Sequence, residues 1–254
     1  MPFAESDGVN IYYELIGAGP PLLLHHGFTA STQCWKEEGY LSRLQNDYSL
    51  ILMDARGHGK SDKSHDPSEY DPIQRVEDVV AVVDALEIDK VHFWGYSMGG
   101  RVGFALARYA PERIATLIIG GMDPSERPLR HPDRPDGSDR ADFLDFLLGV
   151  WGSRLDDFPP WQQKELLAND FRALAAADRG EPSMEEGLDV TPIPFLLYAG
   201  TRDIYHEGAR RFAEIIPKAT FVSLPNLGHG ATFSAPDLII PHVRHFLREQ
   251  SGQK

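Results

Sequence analysis

Two rhythms of apolar and polar positions alternate along this chain: short runs apolar throughout, and longer stretches with apolar residues at helical spacing. Leu22-Leu23-Leu24 and Leu50 to Met53 are of the first kind, which suits strands buried on both faces of a sheet. Val9 to Leu15 alternates, with Asp7-Gly8 ahead of it as a turn signal, and predicts an early strand. Asp71 to Leu86 sets Ile73, Val76, Val79, Val80, Val83 and Leu86 at helical spacing. Val91 to Trp94 is a strand again, and Val102, Leu106 and Tyr109 put a helix directly behind it. Thr116 to Gly120, Phe195 to Tyr198 and Thr220 to Leu224 read as further strands, and Pro236 to Glu249 as the last helix. Strands alternating with helices imply an α/β fold, a parallel sheet with helices on both faces.

The rhythm fails between about residues 124 and 190. Pro124 to Asp139, rich in proline, arginine and aspartate and holding His131, reads as a surface loop. Ala141 to Val150 and Trp161 to Ala177 have helical spacing. The expected organisation is a core domain of residues 1–123 and 191–254, with 124–190 as a mostly helical cap inserted at the carboxyl end of the sheet. Its Phe143, Phe146, Trp151 and Trp161 either pack this lid onto the body or line a pocket.

Composition narrows the classes of partner. At 254 residues and 42% hydrophobic, the chain can build one large domain carrying an insertion. The formal charge of −13, with no concentrated basic stretch, argues against nucleic acid or an anionic membrane surface as partner. No apolar run approaches the roughly 20 residues of a membrane helix. The first residues lack a basic start followed by an apolar core, so no signal peptide is expected and a cytoplasmic location is. Cys34, the one cysteine, excludes an internal disulfide and is expected to be a buried structural thiol. Monomer and homodimer are both compatible with the sequence.

The chemistry centres on Gly95-Tyr96-Ser97-Met98-Gly99-Gly100, set between a strand and a helix. Gly-x-Ser-x-Gly in that context makes a bend too crowded for side chains at the glycines, and it pushes a strained serine out at the carboxyl end of the sheet. A serine hydroxyl needs a base, and the base an orienting carboxylate. Asp203 and His229 each lie just past the end of a late strand, on the same rim as Ser97, in the chain order Ser97…Asp203…His229. Asp123, also after a strand, is a rival for the acid. The oxyanion of an acyl intermediate needs two backbone donors: the N–H of Met98, and that of Phe28 in the loop His26-Gly27-Phe28. His26 is expected to pin that loop, and His26, Tyr96, Phe143 and Trp151 are candidates to line a substrate pocket. Asp54, Arg56 and His58 read as fixing a turn, because the phosphate-loop spacing ending at Lys60-Ser61 fails at Asp54. No Cys/His cluster or His-Glu-x-x-His spacing suggests a metal.

Together His26-Gly27-Phe28, Asp54-x-Arg56-Gly57-His58-Gly59-x-Ser61, the serine turn, and the Asp203 and His229 loops make the chain resemble the α/β-hydrolase fold family. The resemblance implies a mostly parallel, eight-stranded sheet, hydrolysis without a cofactor, and a variable lid that selects substrates. Within the family the chain looks most like small microbial carboxylesterases and enol-lactonase-like serine hydrolases. A small-molecule ester is then the expected substrate. Perhydrolase or haloperoxidase-like, lactonase, carbon–carbon hydrolase and acyltransferase chemistries would use the same triad, and the fold can also serve as a ligand-binding receptor.

Overall fold

Each fully apolar run becomes a strand of one sheet, and the alternation within each strand decides which face a residue meets. The computed structural model describes residues 2–127 and 134–250. His131 and part of the loop expected over 124–139 lie outside them. The strands are β1 (Phe3–Ser6), β2 (Val9–Ile16), β3 (Pro21–His25), β4 (Ser49–Met53), β5 (Val91–Tyr96), β6 (Ile114–Gly120), β7 (Phe195–Gly200) and β8 (Ala219–Leu224). Their spatial order is β1-β2-β4-β3-β5-β6-β7-β8, with β1 and β2 antiparallel to their neighbours and every other pairing parallel. This is the mostly parallel eight-stranded sheet that the resemblance implies.

Leu23, Ile51, Phe93, Ile119 and Leu197 face one side, where α3 (Pro72–Ala85), α4 (Met98–Tyr109) and α8 (His206–Ile215) cover them with Val76, Val79, Val102, Phe104 and Phe212. Leu22, Leu24, Leu50, Leu52, Trp94, Ile118, Leu196 and Tyr198 face the other side. There α1 (Thr32–Glu37), α2 (Tyr40–Leu44) and α10 (Pro236–Gln250) supply Cys34, Trp35, Tyr40, Ile239 and Val243. Cys34 is buried in this second layer, where loss of solvation pushes its thiol well above the usual range and keeps it protonated.

Between β6 and β7 the chain forms α5 (Arg140–Trp151), α6 (Pro160–Ala168) and α7 (Phe171–Ala177), whose Phe143, Leu147, Leu166, Phe171 and Leu174 make a separate apolar cluster. The single helix expected over Trp161 to Ala177 is two. Asn169 leaves the helical conformation, and the Asp170 side chain caps α7 by accepting the Arg172 and Ala173 N–H groups. The segment is tied to the body by charge as well as packing. Buried Glu181 lies 3.6 Å from Arg75 of α3 and 3.0 Å from Arg101 of α4, and Glu181 pairs by backbone with Arg127. The last strand ends in α9 (His229–Phe233). Among the described residues no helix is long and apolar enough to cross a membrane.

The Asp54–Ser61 turn is built from inward-pointing polar groups. Asp54 accepts from the Thr32 and Lys60 N–H groups at 2.6 and 2.7 Å, and Arg56 grips Asp78 of α3 with two bonds of 2.6 Å. Both members of that pair are buried. Removing one partner strands the other charge away from water, so Asp78→Ala is expected to lower stability by about 3–5 kcal/mol. The shift of the urea unfolding midpoint at unchanged slope would measure it.

Candidate active site

Strand order reverses beside β3: the chain passes from β3 to β4 on one side, then crosses to β5 on the other. His25 pairs in register with Gly95, so the loops that follow β3 and β5 leave the sheet side by side. Such a switch point at the carboxyl ends of parallel strands leaves a crevice, and that is where ligands bind in open α/β sheets. Ser97 stands there.

β5 ends at Tyr96 and α4 begins at Met98, leaving Ser97 at the bend with φ 53° and ψ −113°. A side chain held in that region costs of order 1–3 kcal/mol. The crowding is real. A Cβ on Gly95 would sit 2.1 Å from the Gly99 carbonyl oxygen, and one on Gly99 would sit 2.2 Å from that of His25. The strained residue is fixed from both sides: its N–H donates to Gly120 O at 2.8 Å, and its carbonyl accepts from Arg101 N–H at 3.0 Å.

The three polar side chains singled out from the sequence meet here. His229 Nε2 lies 2.9 Å from Ser97 Oγ, and His229 Nδ1 lies 2.8 Å from Asp203 Oδ2. With its Nδ1–H donating to the carboxylate, Nε2 is free to accept the serine proton. The Asp203 side chain is fully buried while 38% of the His229 side chain is exposed, so the carboxylate is sealed and the imidazole reaches solvent. Asp203 Oδ1 also accepts from Tyr205 N–H at 3.1 Å. Asp123 is placed elsewhere: its Oδ1 caps its own loop by accepting from Ser125 N–H at 2.8 Å, and its other oxygen packs against Gly208 at the start of α8.

What holds His229 was not anticipated. The Tyr96 hydroxyl donates to the His229 carbonyl, and the rings of Tyr96 and Tyr205 lie 5.3 and 5.6 Å from the imidazole. Gly121, at φ 58°, leaves the room: a Cβ there would lie 2.9 Å from His229 Cε1 and from the Tyr96 ring. The Gly120-Gly121 pair at the end of β6 was the available signal.

The pocket-lining expectation is corrected for most of its members. Tyr96 is buried and its hydroxyl is engaged with the His229 loop. His26 is wholly buried, with Nδ1 donating to Gly27 O at 2.8 Å and Nε2 accepting from Ala55 N–H at 3.0 Å, so it joins two loops. Phe143 is wholly buried against Phe146 and Phe171 inside the helical segment, and Trp151 is a surface ring leaning on Phe158. His26, Tyr96 and Phe143 are thus taken up by packing, while Phe28 is a half-buried aromatic that packs against both the α5–α7 cluster and Tyr70.

Gly27 lies against Ser97, close enough that a Cβ would be 3.4 Å from Ser97 Cβ. Among the described residues neither the Phe28 nor the Met98 backbone N–H donates to a protein acceptor. Two unpaired N–H groups flanking a serine, one at the amino end of a 12-residue helix, form a place for a developing negative charge. Behind them His25, His26 and His58 are buried, and desolvation holds His25 at about 3 and the other two below the usual histidine range, so this layer stays uncharged. Among the described residues no group of three His, Cys, Asp or Glu side chains is disposed to hold a metal ion.

The model of the alpha/beta hydrolase fold family matches residues 20–149, from β3 through the serine turn and into α5. The chain belongs to the α/β-hydrolase family. This hydrolase is 28% identical to a non-heme chloroperoxidase from Streptomyces lividans, over 96% of its own length and 98% of the relative's. An esterase from Rhodococcus sp. ECU1013 superposes on it with a TM-score of 0.81 at 27% identity, covering 97% of this chain and 98% of the other. The enol-lactonase from Burkholderia xenovorans LB400 shares the fold, with a TM-score of 0.83 at 22% identity over 97% and 99% of the two chains.

Proposed function

We propose that this hydrolase cleaves carboxylic ester bonds of small molecules through Ser97, His229 and Asp203, by way of an acyl-enzyme. The observation that carries the reading is the unbroken line Asp203–His229–Ser97, with bonds of 2.8 and 2.9 Å, ending at a half-buried serine at the carboxyl end of the sheet. His229 takes the Ser97 proton as Oγ attacks the ester carbonyl. The Phe28 and Met98 N–H groups receive the oxyanion, and His229 then protonates the leaving alcohol. Water, deprotonated by the same imidazole, attacks the acyl-serine, and the acid departs with Ser97 restored. Asp203 keeps the proton on Nδ1 and stabilises the imidazolium in both steps. Residues 124–190 are proposed as a lid over this site that selects substrates; the Phe28 side chain packed into its apolar cluster supports that role.

A phosphonate ester probe and p-nitrophenyl esters of increasing acyl length test the reading together. Labelling mapped to Ser97, with turnover that peaks at one chain length, is the expected result. Ligand binding without labelling or turnover would make the chain a receptor. The likeness to a chloroperoxidase supports a second reading, in which hydrogen peroxide replaces water at the acyl-serine and releases a peracid. Peracid yield under added peroxide, measured against free acid, separates the two.

A further inference from the structure

We propose that Asn169 and Glu165, both between β6 and β7, act as positioning residues that hold the loop after β3 so that the Phe28 N–H stays aimed at the oxyanion. The proposal rests on the acyl-transfer reading above. The loop needs holding because Thr29 sits at φ 67°, a region that β-branched residues rarely occupy. Strained backbone of this kind persists where the surroundings over-determine it, and it gathers at functional sites.

The body of the protein supplies part of the restraint, through the His26 ring and an Ala30 N–H bond to Gly27 O at 3.2 Å. The helical segment supplies the rest at three points, on Phe28, Thr29 and Ser31. The Phe28 ring enters its apolar cluster, the buried Asn169 donates from Nδ2 to Thr29 O at 2.8 Å, and the Ser31 hydroxyl donates to the Glu165 carboxyl. Asn169 Nδ2 also lies 3.1 and 3.3 Å from the Glu165 and Leu166 backbone carbonyls, so its side chain is braced on the end of α6 that also carries Glu165. A cover that only walled a pocket would need no bond to the strained residue's carbonyl.

Glu165 gives the clamp a pH signature. Burial is the largest of the causes that set its carboxyl at about 7 against an ordinary 4.5; it outweighs the Ser31 hydrogen bonds, which favour the anion, and the Asp54 and Glu37 carboxyls add to the rise. Cys34, the other titratable group beside it, is held as the thiol. A folded-state value raised above the unfolded one means the closed contact is fully favoured below about 4.5 and weakens as pH rises through about 7. Above that, an anion faces two carboxyls in a poorly solvated place. Triad chemistry alone gives the rate no reason to fall on the alkaline side.

The test is kcat and KM for p-nitrophenyl acetate across the pH range, for wild type, Asn169→Ala, Glu165→Gln and Ser97→Ala. Asn169→Ala is expected to lower kcat about tenfold or more with KM little changed, because the oxyanion exists only in the transition state. Wild type is expected to lose kcat above about pH 7, and Glu165→Gln not to show that alkaline fall. Asn169→Ala with a raised KM and full kcat makes the segment a pocket wall and overturns the proposal. So does a wild-type rate that is level at alkaline pH, or an alkaline fall that survives in Glu165→Gln. Should Asn169→Ala not fold, the Glu165→Gln profile decides. Hydrolysis surviving in Ser97→Ala overturns the acyl-transfer reading itself, a result distinct from failure of the clamp alone.

Discussion

Ser97→Ala is expected to lower kcat for a p-nitrophenyl ester by roughly 10⁴- to 10⁶-fold while leaving the protein folded. The size follows from what is lost. Among the described residues no other hydroxyl stands at His229 Nε2, so the proposed acyl-enzyme could not form, and the path left would be direct attack by water on a carbonyl held by the Phe28 and Met98 N–H groups. The stability expectation is equally specific. Alanine keeps a Cβ at φ 53°, so the backbone strain stays and the melting temperature should barely move. Ser97→Gly releases that strain and should stabilise the fold by up to about 1–3 kcal/mol while being just as inactive. Thermal melts and steady-state rates on the three proteins check both halves. An alanine protein with a wild-type rate would remove Ser97 from the chemistry.

The contrast between those two variants bears on how the site is read from sequence. Gly95 and Gly99 announced the bend because only glycine fits against the Gly99 and His25 carbonyls, a steric demand that leaves a fixed spacing in the chain. The buried strands announced themselves as well, since a strand covered on both faces must be apolar throughout. β1 did not, being four residues at an edge with only Ala4 and Ser6 buried. α1 and α2, at six and five residues, are too short to show helical periodicity. In the site, Ser97, Asp203 and His229 were legible because each is a reactive side chain in the loop or turn that follows a strand. Tyr205 and Asn169 were not. Their roles depend on which loops come together at the switch point, and that is a property of strand order rather than of any local stretch. The misjudged pocket aromatics have the same origin: Phe143 looks like a pocket wall in sequence and is core, because the helical segment has an apolar interior of its own to fill.

Asp203→Asn should fold like the wild type and lose about 10⁴-fold in kcat, close to the loss from removing the nucleophile although the substituted atom never touches substrate. The carboxylate accepts the Nδ1–H of His229 and thereby leaves Nε2 unprotonated toward Ser97. An amide turns its NH₂ toward the ring, draws the lone pair to Nδ1, and moves the proton to Nε2, where it points at the serine it should be receiving from. The imidazolium of each transition state also loses its buried counter-charge, and because that carboxylate is fully shielded from water, no solvent charge replaces it. Asp123→Asn is the matched control. Its Oδ1 holds the Ser125 N–H, a job that the asparagine side-chain oxygen can still do, so kcat should change less than about threefold. Steady-state rates on both proteins, with circular dichroism to confirm folding, give the answer. The reverse pattern, an active Asp203→Asn beside an inactive Asp123→Asn, would move the acid to the end of β6. It would require His229 to swing away from a carboxylate it already contacts at 2.8 Å.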